Sequence, residues 1–148
     1  MSPAREVRIA RSGDEAAIAA LAGQLGYPTS AESVAARLEA LSGRGDLAVF
    51  VAVEGRERIV GWAQVGLVEY VYHEAFAELL GLVVEEKERG RGLGSSLVAA
   101  AEAWARERGV GTLSLRSNVV RTEAHAFYEG LGFSRTKTSY TFRKSLAV

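Results

Sequence analysis

The stretch from Glu78 to Ser95, Glu-Leu-Leu-Gly-Leu-Val-Val-Glu-Glu-Lys-Glu-Arg-Gly-Arg-Gly-Leu-Gly-Ser, leaves the chain few choices. Its apolar run from Leu79 to Val84 suits a mostly buried strand. The charged run from Glu85 to Arg89 ends that strand. Gly90, Gly92 and Gly94 then lead into a segment where Leu93, Leu97, Val98, Ala101, Trp104 and Ala105 recur at helical spacing. A loop without side chains at a helix start leaves several backbone N–H groups free to face one ligand. That ligand is an anion, usually a phosphate. The alternative is a glycine-softened turn with exposed arginines. Three glycines so close to a helix start cost stability unless backbone must approach something. A dinucleotide fingerprint needs Gly-x-Gly-x-x-Gly and a kinase-type loop needs Gly-Lys-Ser/Thr, and neither is present.

The rest of the chain supplies elements around this unit. Glu6 to Ala10 reads as a first strand, and Ser12-Gly13-Asp14-Glu15 resembles a capping box ahead of Ile18, Leu21, Ala22 and Leu25. Gly26-Tyr27-Pro28 stops that helix, and Thr29 or Ser30 caps a second one carrying Val34, Leu38 and Leu41. Leu47 to Val53 and Ile59 to about Tyr72 read as an antiparallel hairpin around Gly55. Residues 70–76 read as an aromatic and acidic connection into the pivotal strand. After the glycine-loop helix, Thr112 to Arg116 is a short strand and Thr122 to Leu131 a helix with Gly132 as its cap. Phe133 to Arg143 is a final strand pair. The expected order is β-α-α-β-β-β-α-β-α-β-β. This is an α+β protein of α/β/α type, a mixed, mostly antiparallel twisted sheet of about seven strands with about four helices.

At 148 residues, 1–148 reads as a single domain. No apolar run approaches the roughly 20 residues that cross a bilayer, and no basic-then-apolar leader opens the chain, so a cytoplasmic protein with no membrane partner is expected. There is no Cys and there are 2 His, which points away from disulfides, thiolate chemistry and a metal site. Lys plus Arg and Asp plus Glu number 18 each, which argues against a nucleic-acid partner. Any anion site must be local.

Arg89-x-x-Gly92-x-Gly94 resembles the pyrophosphate-binding motif of the GNAT superfamily of N-acetyltransferases. Ala124-His125-Ala126-Phe127-Tyr128-Glu129-Gly130-Leu131-Gly132-Phe133 is similar to that family's late helix. The resemblance covers nearly the whole chain. It implies acetyl-CoA as co-substrate, held by Arg89, Gly90, Arg91, Gly92, Leu93, Gly94 and Ser95 at its phosphates. The main chain of Leu82, Val83 and Val84 would pair with the pantetheine arm, one N–H polarising the thioester carbonyl. The arm would lie where the pivotal strand and Thr112 to Arg116, parallel neighbours, splay apart. Ala124, Phe127 and Tyr128 would meet the cofactor from the late helix. Many members carry Asn where this chain has Arg121, and Asn118 offers a substitute from the loop. A homodimer through the last strands is common in the family.

Transfer to an amine raises two proton problems. An amine with pKa near 10.4 is only about 0.04% neutral at pH 7, a handicap of roughly 4.6 kcal/mol. Glu78 lies eleven residues before Arg89, the spacing at which some GNAT members, notably histone acetyltransferases, place a general base. At period two it shares a face with Leu80, Leu82 and Val84, where burial would raise its pKa. A strand-end glutamate in solvent, with water as the base, is the other reading. The second proton belongs to the departing thiolate, and Tyr128 is placed by resemblance to give it. A core tyrosine with a satisfied hydroxyl is the alternative there. His125 reads as a helix-surface residue.

Tyr27, Glu69, Tyr70, Tyr72 and Glu78 are the candidate acceptor residues, since acids among aromatics suit a cationic amine. The expected activity is direct acetyl transfer to a primary amine of a small molecule or peptide, without a covalent enzyme intermediate. The rival is a module of the same fold that holds acyl-CoA as a sensor and transfers nothing.

Overall fold

The structure is a computed structural model that describes residues 5–148. The chain divides into two compact units, Met1–Arg116 and Ser117–Val148. The first contains β1 (Arg5–Ile9), α1 (Glu15–Leu25), α2 (Ala31–Leu41), β2 (Leu47–Glu54), β3 (Arg58–Tyr70) and β4 (His73–Val84). A single 3-10 turn (Glu86–Glu88), α3 (Leu93–Glu107) and β5 (Leu113–Leu115) complete it. The strands lie in sequence order in one sheet, antiparallel from β1 through β4, with β5 parallel to β4. The second unit contains α4 (Thr122–Gly130).

This is the mixed α+β architecture expected from the sequence, with 5 strands in the sheet instead of about seven. The difference lies after α4. Residues 133–143, expected as a strand pair, form no strand, and Tyr140 and Phe142 are 88% and 91% exposed. Residue types alone make a segment competent to pair; only a partner strand makes a ladder. A second difference is at the hairpin tip. Residues 73–76 already belong to β4, and Tyr70 pairs with His73, so Val71 and Tyr72 form the turn.

Residues directly opposite on neighbouring strands point to the same side of a sheet. Leu47, Val49 and Val51 therefore share a face with Gly66, Gln64 and Trp62, and Ala48, Phe50 and Ala52 share the other with Val65, Ala63 and Gly61. The first face carries the early helices: Ile18, Ala19 and Val34 cluster with Val51 and Val53, and Trp62 packs against them. The second carries α3, whose Leu97 would stand 3.1 Å from a Cβ added at Gly61. Leu93, Leu97, Val98, Ala101, Trp104 and Ala105 are all buried, as their spacing predicts. Burying a Leu- or Val-sized side chain contributes about 1.5 to 3 kcal/mol, so this stripe fixes the helix axis and with it the direction in which the helix start points.

The Ser30 hydroxyl accepts from Ser33 N–H and caps α2, one of the two caps expected. The start of α1 departs from the expected capping box. Its cap is Asp14, whose carboxylate accepts two bonds from Arg8, at 2.8 and 3.0 Å, and one from Arg11 N–H at 2.8 Å, while Glu15 reaches Gly13 N–H. Burial pushes the Asp14 carboxyl up, but the bonds from Arg8 and Arg11 outweigh it and hold the group below its ordinary 3.8. A lowered folded-state pKa stabilises the fold above the unfolded value and loses that contribution as pH falls through the folded one. Asp14→Ala is thus expected to destabilise by about 2 to 3 kcal/mol at pH 7. This is less than the roughly 3 to 5 of a fully buried pair, because Arg8 keeps some contact with water. Urea melts should show the wild-type advantage shrinking below about pH 4 and flat above pH 5.

Candidate active site

The glycine loop stands at the start of α3. Gly90 and Gly92 have φ of +81° and +82°, a conformation that suits glycine, and Gly92 caps the helix without any side-chain bond. The first helical bond runs from Ser96 N–H to Gly92 O at 3.0 Å. Among the described residues, the N–H groups of residues 90–95 meet no acceptor, and a Cβ at Gly90 or Gly92 would touch nothing within 4 Å. Open amides at the positive end of a helix dipole form a place for a phosphate.

The two arginines of the loop differ. Arg89 Nε donates to the Val84 carbonyl at 3.2 Å, folding back on the end of β4. The Arg91 guanidinium pairs with Glu88 and lies 3.5 Å from Glu54, so its charge is shared with two buried carboxylates. Hydrogen bonding from Arg58 holds the Glu88 carboxyl below its ordinary value; burial opposes this and the bond from Arg91 adds to it.

β4 supplies the second part of the site. Its pairing with β5 covers only Ala77 to Leu79, so residues 80–84 have no strand on that side among the described residues. Leu82, Val83 and Val84 thus present an edge with no strand beside it, its Val84 carbonyl taken by Arg89, and the turn Glu86–Glu88 leads from there to the glycine loop. Such an edge can accept an extended ligand as a strand would.

Glu78 faces otherwise than period-two counting suggests. The register with β3 skips Leu80: Gln64 lies opposite Gly81, Val65 opposite Leu79 and Gly66 opposite Glu78. This bulge reverses the alternation, so Glu78 shares its face with Gly81 and Val83 rather than with Leu82 and Val84. It is the face that carries Trp62 and the early helices. The Glu78 side chain is 16% exposed and lies 3.6 Å from Arg116 Nε. Gly81 admits the Trp62 ring, which would sit 2.8 Å from a Cβ there.

On the same face, a cavity of about 480 Å³ is lined by Tyr27, Thr29, Arg37, Trp62 and Gln64 among others. Tyr27 therefore lines a pocket on this face. Tyr70 and Tyr72 instead stack on each other at the hairpin tip, ring centroids 5.1 Å apart, with Phe76 6.0 Å from Tyr70. From His73, opposite Tyr70, to Glu78 is roughly 16 Å along the strand at about 3.3 Å per residue. The tip and its Glu69 thus lie apart from Glu78 along the strand. A larger groove of about 940 Å³, lined by Ile9, Leu38, Phe50 and Trp104 among others, includes neither Glu78 nor the loop.

In the second unit, Tyr128 on α4 makes edge contacts with Phe127 at 5.3 Å and Phe133 at 5.9 Å. Burial raises its pKa, with the Arg121 charge opposing, so the phenol keeps its proton through the neutral range. Ala124 and Tyr128 are half-buried and Phe127 is 36% exposed. The Asn118 side chain accepts from Val120 N–H at 3.1 Å, and a His125 ring nitrogen lies 2.8 Å from the Asn118 carbonyl, so both shape the loop before α4. Two features escaped the sequence reading: Arg116 beside Glu78, and the Arg5, Glu54 and Arg58 cluster beside the loop. Arg5 and Glu54 are 49 positions apart, and only the β1–β2 register joins them.

Residues 15–133 match the model of the acetyltransferase (GNAT) family. The chain belongs to that family and is an N-acetyltransferase enzyme by class. It is 31% identical over 150 residues to the aminoglycoside N(6')-acetyltransferase type 1 of Stenotrophomonas maltophilia, covering 99% of this chain and 97% of that protein. Among solved structures it resembles a transcriptional regulator from Bacillus halodurans C-125 (26% identity, 95% and 100% of the two chains, TM-score 0.84). It also shares its fold with aminoglycoside N-acetyltransferase AAC(6')-Iy in complex with CoA (21% identity, 99% and 98% of the two chains, TM-score 0.87).

Proposed function

We propose that this enzyme moves the acetyl group of acetyl-CoA directly to a primary amine of a cationic small molecule, with no covalent enzyme intermediate. The observation that carries the proposal is the succession of two stretches of backbone, a strand edge with no strand beside it and a run of open amides. The edge of residues 80–84 is followed, after the turn Glu86–Glu88, by the open amides of residues 90–95. Coenzyme A has the matching order, a neutral arm with amide groups and then a diphosphate. Leu82, Val83 and Val84 pair with the arm, and one of their N–H groups polarises the thioester carbonyl. Residues 89–95 hold the diphosphate, and the likeness of residues 124–133 to the family's late helix is the ground for adding Asn118, Ala124 and Phe127 as cofactor contacts.

In the transfer the amine nitrogen bonds to the acetyl carbon and the carbon–sulfur bond breaks. Glu78, directly or through a water, takes the ammonium proton so that the neutral amine can attack. Tyr128, assigned by the likeness to the family's late helix, gives its phenolic proton to the thiolate, and the proton then lost by the new amide nitrogen restores the phenol. The acceptor enters over the face that carries Glu78 and the cavity at Tyr27, with Glu69, Tyr70 and Tyr72 at its approach. An aminoglycoside amine is the first candidate, because a relative matched along nearly its full length carries that name.

The test is CoA release from acetyl-CoA with aminoglycosides, polyamines, amino acids and peptides as acceptors. Turnover with a polycationic amine is expected. Turnover only with hydroxyl or anionic acceptors, at matched concentration, contradicts the reading.

A further inference from the structure

The Arg5 guanidinium reaches the glycine loop from β1. Its Nη1 donates to the carbonyl of Arg91 at 2.9 Å, and its Nε donates to Glu54 Oε2 at 3.2 Å. Arg91 stands between the two residues of the loop with positive φ, Gly90 and Gly92. These are the positions where the backbone has most freedom to turn.

The carbonyl of Arg91 and the N–H of Gly92 belong to one planar trans peptide and point in opposite directions. Holding the oxygen therefore aims the hydrogen: the Gly92 N–H faces away from Arg5. Arg5 is itself held. Glu54, 6% exposed at the end of β2, takes Arg5 on one oxygen and Arg58 on the other, the latter at 3.5 Å. Arg58 also binds Glu88 at 3.0 Å, and Glu88 pairs with Arg91. Three guanidiniums face two carboxylates, so the cluster keeps one positive charge in excess beside the loop.

We propose that Arg5, held by Glu54, is a positioning residue that presets the Gly92 amide for the diphosphate of acetyl-CoA. The inference rests on the glycine loop being the diphosphate site. An amide already aimed need not be ordered when the ligand arrives, and preorganisation of this kind shows as affinity.

The test compares wild type with Arg5→Ala and Arg5→Lys by calorimetric titration with CoA and by KM for acetyl-CoA. S-acetylpantetheine, a thioester without the diphosphate, serves as the second substrate. Arg5→Ala is expected to weaken CoA about tenfold, the worth of roughly one hydrogen bond to a charged group, and to leave KM for S-acetylpantetheine unchanged. Arg5→Lys, which keeps the charge but not the planar fork, recovers part of the loss. Equal losses for both thioesters, or a lower melting temperature that accounts for the loss, mean a merely structural role and overturn the proposal. Unchanged CoA affinity in Arg5→Ala also overturns it. A folded wild type that does not bind CoA sinks the diphosphate reading itself, which is a different failure.

Discussion

Glu78→Gln is expected to lower kcat by about 10² to 10⁴ at pH 7, the range typical of a lost general base. Glutamine keeps the shape and the hydrogen-bonding reach, so the sheet face and its approach to Arg116 change little. What is lost is a place for the amine proton. The defect should shrink as pH rises, because the neutral fraction of the acceptor grows tenfold per unit until its own pKa is reached. Profiles of kcat from pH 6 to 9.5 for both enzymes check this. Parallel profiles, with the ratio constant across the range, would assign Glu78 to structure and leave water as the base.

Tyr128→Phe is the second large effect, a fall in kcat of about 10² to 10⁴ with CoA affinity unchanged. The substitution removes one oxygen and leaves the ring contacts to Phe127 and Phe133 in place. The sign of the pH dependence follows from the neutral phenol being the donor. Burial moves its pKa upward, so the donor form persists beyond the ordinary value of 10.0 and any alkaline loss due to this group lies above it. Single-turnover rates at saturating acetyl-CoA, paired with calorimetry, separate the two quantities. In a variant that turns over normally some other donor protonates the thiolate, and Tyr128 is then a packing residue.

The parts of this molecule legible in its sequence are those decided locally. The stripe from Leu93 to Ala105 required a helix, Ser30 capped α2, and glycines at 90 and 92 adopt the backbone that only their lack of a side chain makes easy. What sequence spacing hid depends on pairing between distant residues. The skipped Leu80 turns Glu78 to another set of neighbours, and no period-two count reveals a bulge. The same is true of Asp14, a good cap in isolation, whose carboxylate is taken by Arg8 across the turn after β1. At residues 133–143 a strand pair is expected, but pairing with a partner is what defines a strand and none is found there. The candidate site was legible as motifs, and its arrangement in the first unit was legible only from the register of β3, β4 and β5.

The most direct measurement is a two-dimensional amide NMR titration of the folded protein with CoA and with S-acetylpantetheine. If open amides at the helix start bind the diphosphate, the N–H resonances of Gly90, Gly92, Leu93, Gly94 and Ser95 move downfield with CoA and stay in place with the pantetheine thioester. Saturating CoA that leaves these resonances unmoved would contradict the account.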